Sequence, residues 1–168
     1  MVATCRSRRM TLRLVPRSRS RFRWRDSISL AILHIPLTTM ESDTVILVVE
    51  DDIILKKLLS RAFADQYNML YANNGAEALA LLDTQTPTLI LLDLLMPDMD
   101  GFTFLEKVRA RNDAVKSTPI IVVSNLGQQK DIDRVKALGV SAYLVKAEVS
   151  IDEITAKINE VLSTLPAK

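Results

Sequence analysis

From residue 44 onwards, short runs of mostly apolar residues alternate with longer stretches in which apolar residues recur every three or four positions. A short, continuous apolar run is typical of a strand that is buried on both faces of a sheet. This pattern predicts five strands, at residues 45–49, 68–72, 89–92, 120–123 and 142–145. Pro119 stands directly before the fourth run, where its missing N–H is tolerated.

The stretches between these runs have helical spacing. They predict helices at residues 53–63, 75–82, 131–138 and 151–162, and a further helix that follows Gly101 and passes through Phe102, Leu105 and Val108. Gly139 is placed to end the fourth of the five helices, because glycine is common just after a helix C-terminus. Five strand–helix units in about 125 residues predict an α/β domain, a doubly wound parallel sheet with helices on both faces.

Charge divides the chain into two unlike pieces. Residues 1–40 contain nine Arg, no Lys and a single acidic residue, whereas residues 41–168 contain 13 basic and 19 acidic residues. The net charge of +2 therefore hides a basic leader and an acidic domain. The only cysteine, Cys5, lies in the leader, which excludes an intrachain disulfide framework and agrees with a reducing cytoplasm.

The leader, residues 1–40, has several interpretations. Its Arg/Ser-rich composition is similar to a transit peptide, and the apolar run at residues 28–37 is similar to a short signal core but too short to span a bilayer. A basic arm that binds RNA or membranes is a third interpretation. We favour a fourth, in which Met40 is the true start and the leader is upstream sequence from a misassigned start codon. The expected domain is then residues 41–168.

Polar side chains follow the predicted strands at their carboxyl ends, where open parallel sheets bind ligands. Glu50-Asp51-Asp52 follows the first strand, Asp93 the third, Ser124-Asn125 the fourth and Lys146 the fifth. Close carboxylates repel one another, and oxygen ligands of this kind favour Mg²⁺ as the compensating cation. Together with a lysine and a hydroxyl, such a group suits a phosphoryl group carried on a carboxylate.

These motifs, in this order and spacing, resemble the receiver domain of two-component response regulators over residues 44–165. The matching segments are residues 46–52, 91–101, 119–125 and 139–146. The resemblance implies a flavodoxin-like fold with strand order 2-1-3-4-5. Because the predicted last helix lies close to Lys168, we expect a stand-alone, chemotaxis-regulator-like receiver. We expect no enzyme activity beyond accepting the phosphoryl group and losing it slowly.

The resemblance implies a role for each site residue. Asp93 is the phospho-acceptor, and Mg²⁺ is held by Glu50, Asp51, Asp93 and the backbone carbonyl of Leu95. Ser124 is the switch hydroxyl, Tyr143 the switch aromatic, and Lys146 pairs with the phosphoryl group. For three residues the sequence leaves a plainer alternative open: Ser124 as a helix cap, Tyr143 as packing, and Asp52 as an N-terminal helix acid, which we prefer for Asp52.

Two positions depart from the family pattern. The family follows its lysine with proline in a cis peptide, whereas Ala147 stands here. A cis bond without proline costs about 2.5–4 kcal/mol, so we predict a trans bond. The family also prefers a small residue after the switch hydroxyl, and Asn125 is larger, so it is expected to narrow the approach to the phosphoryl site.

The resemblance also implies the partners. The phosphoryl donor is expected to be a sensor histidine kinase or a histidine phosphotransfer protein. The output face is expected at residues 128–138, 141–145 and 151–162, where it binds a downstream protein target, with no nucleic acid and no membrane. The same residues allow two other interpretations. One is a phosphatase or dehalogenase with an Asp nucleophile, which is disfavoured because Leu95 replaces its second Asp. The other is a pseudo-receiver that is never phosphorylated.

Overall fold

The computed structural model describes residues 44–63 and 66–166. The predictions for residues 1–40 therefore lie outside the described residues. Strands and helices alternate as the sequence predicts, in the order β1 (Val45–Val49), α1 (Ile53–Phe63), β2 (Asn68–Ala72), α2 (Gly75–Leu82), β3 (Leu89–Leu92), α3 (Gly101–Arg109), β4 (Ile120–Ser124), α4 (Gln129–Ala137), β5 (Ala142–Val145) and α5 (Ile151–Ser163), with a short 3-10 helix (Ala114–Ser117) before β4.

The five strands form one parallel sheet in the order β2-β1-β3-β4-β5, which confirms the predicted fold and strand order. β1 and β3 are adjacent, with Val49 beside Leu92, so the residues that follow these two strands emerge side by side. β4 and β5 end beside each other in the same way, with Ser124 opposite Val145. The sheet thus brings the four polar segments to one edge.

Alternate residues of the central strands pack on opposite faces of the sheet. In β1, Leu47 and Val49 belong to the core under α2, α3 and α4, whereas Ile46 and Val48 belong to the core under α1 and α5. This two-sided burial is the reason the central strands are continuously apolar rather than alternating. Helices therefore cover the sheet on both sides.

Polar side chains begin the helices that follow these strands. The Asp52 carboxylate accepts hydrogen bonds from the N–H groups of Ile54 (2.7 Å) and Leu55 (3.3 Å), which confirms the preferred role for Asp52 at the start of α1. Asp100 caps α3, and Ser150 forms a capping box with Glu153 at the start of α5. Such caps satisfy N–H groups that have no partner within the helix.

The observed boundaries differ from the predicted ones at α4. This helix begins at Gln129 and ends at Ala137, whereas the sequence pattern predicted residues 131–138. Gln128 precedes it without making a side-chain cap, so the polar start of α4 carries no signal that a sequence pattern detects. The 3-10 helix was also not predicted, because four residues are too few to show a periodicity.

Candidate functional site

The predicted site residues lie at one edge of the sheet because each follows, or ends, a parallel strand. Glu50 follows β1, Asp93 follows β3, Ser124 is the last residue of β4 and Lys146 follows β5. Backbone hydrogen bonds extend the sheet to these residues: the Asp93 N–H donates to the Val49 carbonyl (2.9 Å) and the Lys146 N–H to the Ser124 carbonyl (2.9 Å). The backbone of the site is therefore fixed by the sheet.

The Lys146 ammonium joins two buried carboxylates. Its Nζ lies 2.6 Å from Asp93 Oδ2 and 2.7 Å from Glu50 Oε2. Asp93 is only 5% exposed and Glu50 only 3%, so each negative charge needs this compensation. The Lys146 ammonium is therefore close enough to pair with a negatively charged group carried on Asp93.

Burial and the neighbouring charges shift the pKa values of Glu50 and Lys146. Burial raises the pKa of Glu50, and the Asp93 charge adds to this effect, while the hydrogen bond and charge of Lys146 oppose it. For Lys146, burial lowers the pKa, but its bonds to Asp93 and Glu50 outweigh burial and raise the pKa above its usual value. Lys146 is therefore firmly cationic at neutral pH.

A carboxylate cluster at this edge fits a divalent cation. One carboxylate oxygen from each of Glu50, Asp51 and Asp93 lies within 4.8 Å of the others. Asp51 is exposed, so a cation can approach from solvent. An all-oxygen donor set of this charge suits Mg²⁺ or Mn²⁺ better than zinc or copper. The residues present thus fit the metal that the sequence predicts.

Ser124 is completely buried, and its hydroxyl has no hydrogen-bond partner among residues 44–63 and 66–166. The alternative that Ser124 caps the following helix is wrong, because Gln128 occupies the cap position of α4. A buried hydroxyl without a partner is costly and invites a functional explanation. Its position at the end of β4, in the strand next to β3, places it beside the segment that carries Asp93.

Tyr143 lies within β5, partly buried against the core under α2, α3 and α4. Its hydroxyl donates a hydrogen bond to the carbonyl of Leu126, in the loop that follows Ser124. Burial, with the negative charges of Asp131 and Asp93, raises the pKa of Tyr143, so the hydroxyl stays protonated and remains a donor. The side chain therefore packs and also connects β5 to the loop after β4.

The loop between β3 and α3 approaches its own backbone closely at Gly101. A Cβ at this position would lie 2.2 Å from the Asp93 carbonyl oxygen and 2.7 Å from Leu94 Cα, so no other residue fits without movement. The Leu95 N–H donates to Asp93 Oδ1 (3.1 Å), while the Leu95 side chain is 51% exposed. The loop thus orients the Asp93 carboxylate from its own backbone.

The two departures from the family pattern are accommodated. No cis peptide bond occurs among the described residues, which confirms the trans bond predicted before Ala147. Lys146 nevertheless reaches both carboxylates, so proline is not required to place its amine. Asn125 is exposed and lines, with Lys146, a cavity of about 300 Å³ between the start of α1 and the start of α5.

One polar pair near the site was not singled out by the sequence. Asn74, just before α2, donates from its side-chain amide to the Asp98 carboxylate in the loop after β3 (3.2 Å). An Asn-Gly pair before an apolar helix is a recognisable helix start. That signal predicts the cap of α2 but not the bond to Asp98, which is 24 residues away in sequence.

Comparison with known proteins decides the family. The response regulator receiver domain matches residues 46–159, which include every residue of the site. This chain belongs to the receiver domain family of two-component response regulators. Receiver domains are signalling modules rather than conventional enzymes, they are phosphorylated by histidine kinases, and they bind Mg²⁺ or Mn²⁺ at an acidic pocket.

Several longer regulators are similar to this receiver. It is 34% identical over 118 residues to the "Probable transcriptional regulator ycf27" of Porphyra purpurea, covering 70% of this chain and 46% of that protein. It is also 34% identical over 114 residues to the "Transcriptional regulatory protein KdpE" of Staphylococcus aureus, covering 67% and 47%. The chain therefore spans about half the length of these relatives.

Solved receivers have the same fold. The Mn²⁺-bound response regulator Rcp1 is 26% identical with a TM-score of 0.64, covering 74% of this chain and 99% of that one. The phosphorylated cyanobacterial phytochrome response regulator RcpA is 27% identical with a TM-score of 0.65, covering 74% and 96%. Among the residues described for this receiver, no helix is both long enough and apolar enough to cross a membrane.

Proposed function

We propose that Asp93 of this receiver accepts a phosphoryl group from a phosphohistidine of a sensor histidine kinase or a histidine phosphotransfer protein. The observation that carries the proposal is the contact of Lys146 Nζ with Asp93 Oδ2 at 2.6 Å, beside a cluster of three carboxylates. A structural lysine would pair with one acid at the surface. Here the Lys146 ammonium contacts Asp93, which directly follows the central strand β3.

In the proposed transfer, a carboxylate oxygen of Asp93 forms a bond to phosphorus while the bond from phosphorus to the histidine nitrogen breaks, and the imidazole leaves with that electron pair. Bound Mg²⁺, held by Glu50, Asp51, Asp93 and the Leu95 carbonyl, would neutralise charge on the phosphoryl oxygens. Lys146 pairs with the new phosphoryl charge. The partnerless hydroxyl of Ser124 supplies a hydrogen bond to a phosphoryl oxygen.

Signalling then follows from the link between Ser124 and Tyr143. Engagement of the Ser124 hydroxyl moves the loop after β4, whose Leu126 carbonyl now holds the Tyr143 hydroxyl. Tyr143 and α4 form part of the proposed output face, which comprises residues 128–138, 141–145 and 151–162 and contacts a downstream protein. We propose that the receiver acts alone, in the cytoplasm, and without binding nucleic acid directly.

A protein donor is favoured by the surroundings of Asp93. The acceptor is only 5% exposed, whereas the large apolar side chains most exposed among the described residues are Ile53, Ile54, Leu58 and Leu95. Ile53 and Ile54 begin α1, Leu58 lies in the middle of that helix, and Leu95 lies in the loop directly after Asp93. Exposed apolar groups around a recessed acceptor suit a close-fitting protein surface.

Incubation with Mg²⁺ and a small phosphodonor such as acetyl phosphate tests the acceptor. We expect the mass of one phosphoryl group to be added and then removed by hydroxylamine, which cleaves acyl phosphates. Asp93→Asn should gain none, whereas Asp83→Asn, a control at an exposed surface ion pair, should label like the parent. Labelling of Asp93→Asn at the parent level would refute the assignment, and a parent without labelling would favour the pseudo-receiver.

A further inference from the structure

The loop between β3 and α3 carries the Leu95 carbonyl, and contacts from a different loop hold its far end. The Gly75 N–H, at the start of α2, donates to the Met99 carbonyl (3.1 Å). Next to it, Asn74 Nδ2 donates to Asp98 Oδ2 (3.2 Å). Asn74 and Gly75, the cap and first residue of α2, therefore bind two successive residues of the loop that follows the acceptor.

The Asn74 side chain uses both ends of its amide. Its Oδ1 accepts from the Glu77 N–H (2.8 Å) and so caps α2, while its Nδ2 contacts Asp98. The two bonds fix the plane of the amide between a rigid helix and the loop. An aspartate or serine would cap the helix equally well, so the cap alone does not explain the amide donor.

Asp98 has a backbone conformation that side-chain-bearing residues adopt rarely, with φ of 62°. A turn surrounds it, in which the Met99 N–H donates to the Pro97 carbonyl (2.8 Å). A residue in this region stays there only where neighbouring contacts hold it. The bond from Asn74 is the contact to the Asp98 side chain, so it helps to fix the turn.

We propose that Asn74 is a positioning residue for the metal site: by holding Asp98, it fixes the loop that presents the Leu95 carbonyl next to Asp93. The inference rests on the proposed function, in which this carbonyl is a Mg²⁺ ligand. Asn74 does not touch the metal. It restricts the loop to the conformation that binds the cation, so less conformational freedom is lost when the cation binds. Groups that orient metal ligands usually act in this way.

The test measures Mg²⁺ affinity by calorimetry together with thermal unfolding in EDTA. Asn74→Ser keeps the cap of α2 but is too short to reach Asp98, and we expect Mg²⁺ binding about tenfold weaker, at the lower end of effects of groups that orient metal ligands. Asp98→Gly adopts the same backbone angle without the carboxylate and should weaken binding similarly. The double variant should be no weaker than either single one, because both remove the same bond.

An exchange variant and a matched control sharpen the test. Asn74→Asp combined with Asp98→Asn restores the bond with donor and acceptor reversed and the charge unchanged, so its Mg²⁺ affinity should lie within about threefold of the parent. Ser150→Asn makes the converse cap change at α5, and it should bind Mg²⁺ like the parent. Thermal midpoints in EDTA should be similar for Asn74→Ser and Ser150→Asn, since both keep a helix cap.

The inference would be overturned if Asn74→Ser and Asp98→Gly bound Mg²⁺ as tightly as the parent. That result would leave the proposed function intact. An exchange variant as weak as Asn74→Ser would overturn the inference too. A parent that binds no Mg²⁺ would refute the metal site itself, and with it both proposals. Phosphorylation of the parent is measured in the same preparation. It distinguishes the loss of the metal site and the proposed function from a result that contradicts only the role of Asn74.

Discussion

Replacement of Gly101 by alanine tests how tightly the segment after β3 is packed against α3. The added Cβ would lie 2.2 Å from the Asp93 carbonyl oxygen, 2.7 Å from Leu94 Cα and 3.0 Å from the Asp93 carbonyl carbon. All three are backbone atoms, which cannot rotate away as a side chain does. Relief therefore requires α3 to move away from the backbone of Asp93 and Leu94.

The size of the effect follows from two opposing contributions. Gly101 is the first residue of α3, so helix propensity favours alanine at this position. The preference for alanine over glycine is at most about 1 kcal/mol. Overpacking of a filled interior typically costs about 1–3 kcal/mol, and contacts with backbone atoms lie at the upper end or beyond it. We expect a net loss of about 2 kcal/mol, which corresponds to a thermal midpoint lower by roughly 8 °C.

Urea unfolding followed by circular dichroism measures the change in unfolding free energy. With a slope of about 2 kcal/mol per molar urea, the midpoint of Gly101→Ala should fall by about 1 M. Gly127→Ala is the matched control, since its nearest neighbour would be Val145 Cγ1 at 4.0 Å, and it should be neutral or slightly stabilising. A Gly101→Ala protein as stable as the parent would refute the close approach, because helix propensity would then be the larger effect.

Two further predictions concern the lifetime of the phosphoryl group and the leader. In the receiver family, the side chains at the positions of Leu95 and Leu126 border the path of the hydrolytic water. Both are apolar here and cannot orient that water, so phospho-Asp93 should decay slowly. The double variant Leu95→Asn/Leu126→Glu should accelerate the decay, measured after donor removal, by about an order of magnitude. Equal decay in the two proteins would contradict this, provided that both bind Mg²⁺. Protein starting at Met40 should match the full chain in thermal midpoint, Mg²⁺ affinity and phosphorylation, and a midpoint lower by many degrees would show that residues 1–39 stabilise the domain.

The elements that the sequence predicts best are those whose burial is uniform. β1 and β3 are continuous apolar runs, and the structure places them at the predicted residues between two helical layers. The site residues were predictable for the same reason, because a charged residue directly after such a run lies at the edge of the sheet. Asp93 illustrates this well, since it directly follows the fully buried β3 and its N–H continues the sheet to the Val49 carbonyl.

Contacts between distant loops could not be predicted in this way. Arg109 is the last residue of α3. Its guanidinium donates to four backbone carbonyls, those of Lys116, Thr118, Leu138 and Gly139, at 2.8–3.1 Å. The bond from Asn74 to Asp98 is of the same kind. Each depends on where two loops meet in space, and neither a periodicity nor a local motif specifies that.

The order of the strands has a consequence for folding and for solubility. β4 is buried at every position, whereas β5, which covers its outer side, is only partly buried and has four residues. During synthesis, β4 is complete about twenty residues before β5. For that interval its outer edge presents unpaired backbone N–H and C=O groups beside apolar side chains, the kind of surface that recruits other chains into aggregates. A substitution that weakens β5 should therefore reduce the yield of folded protein in cells.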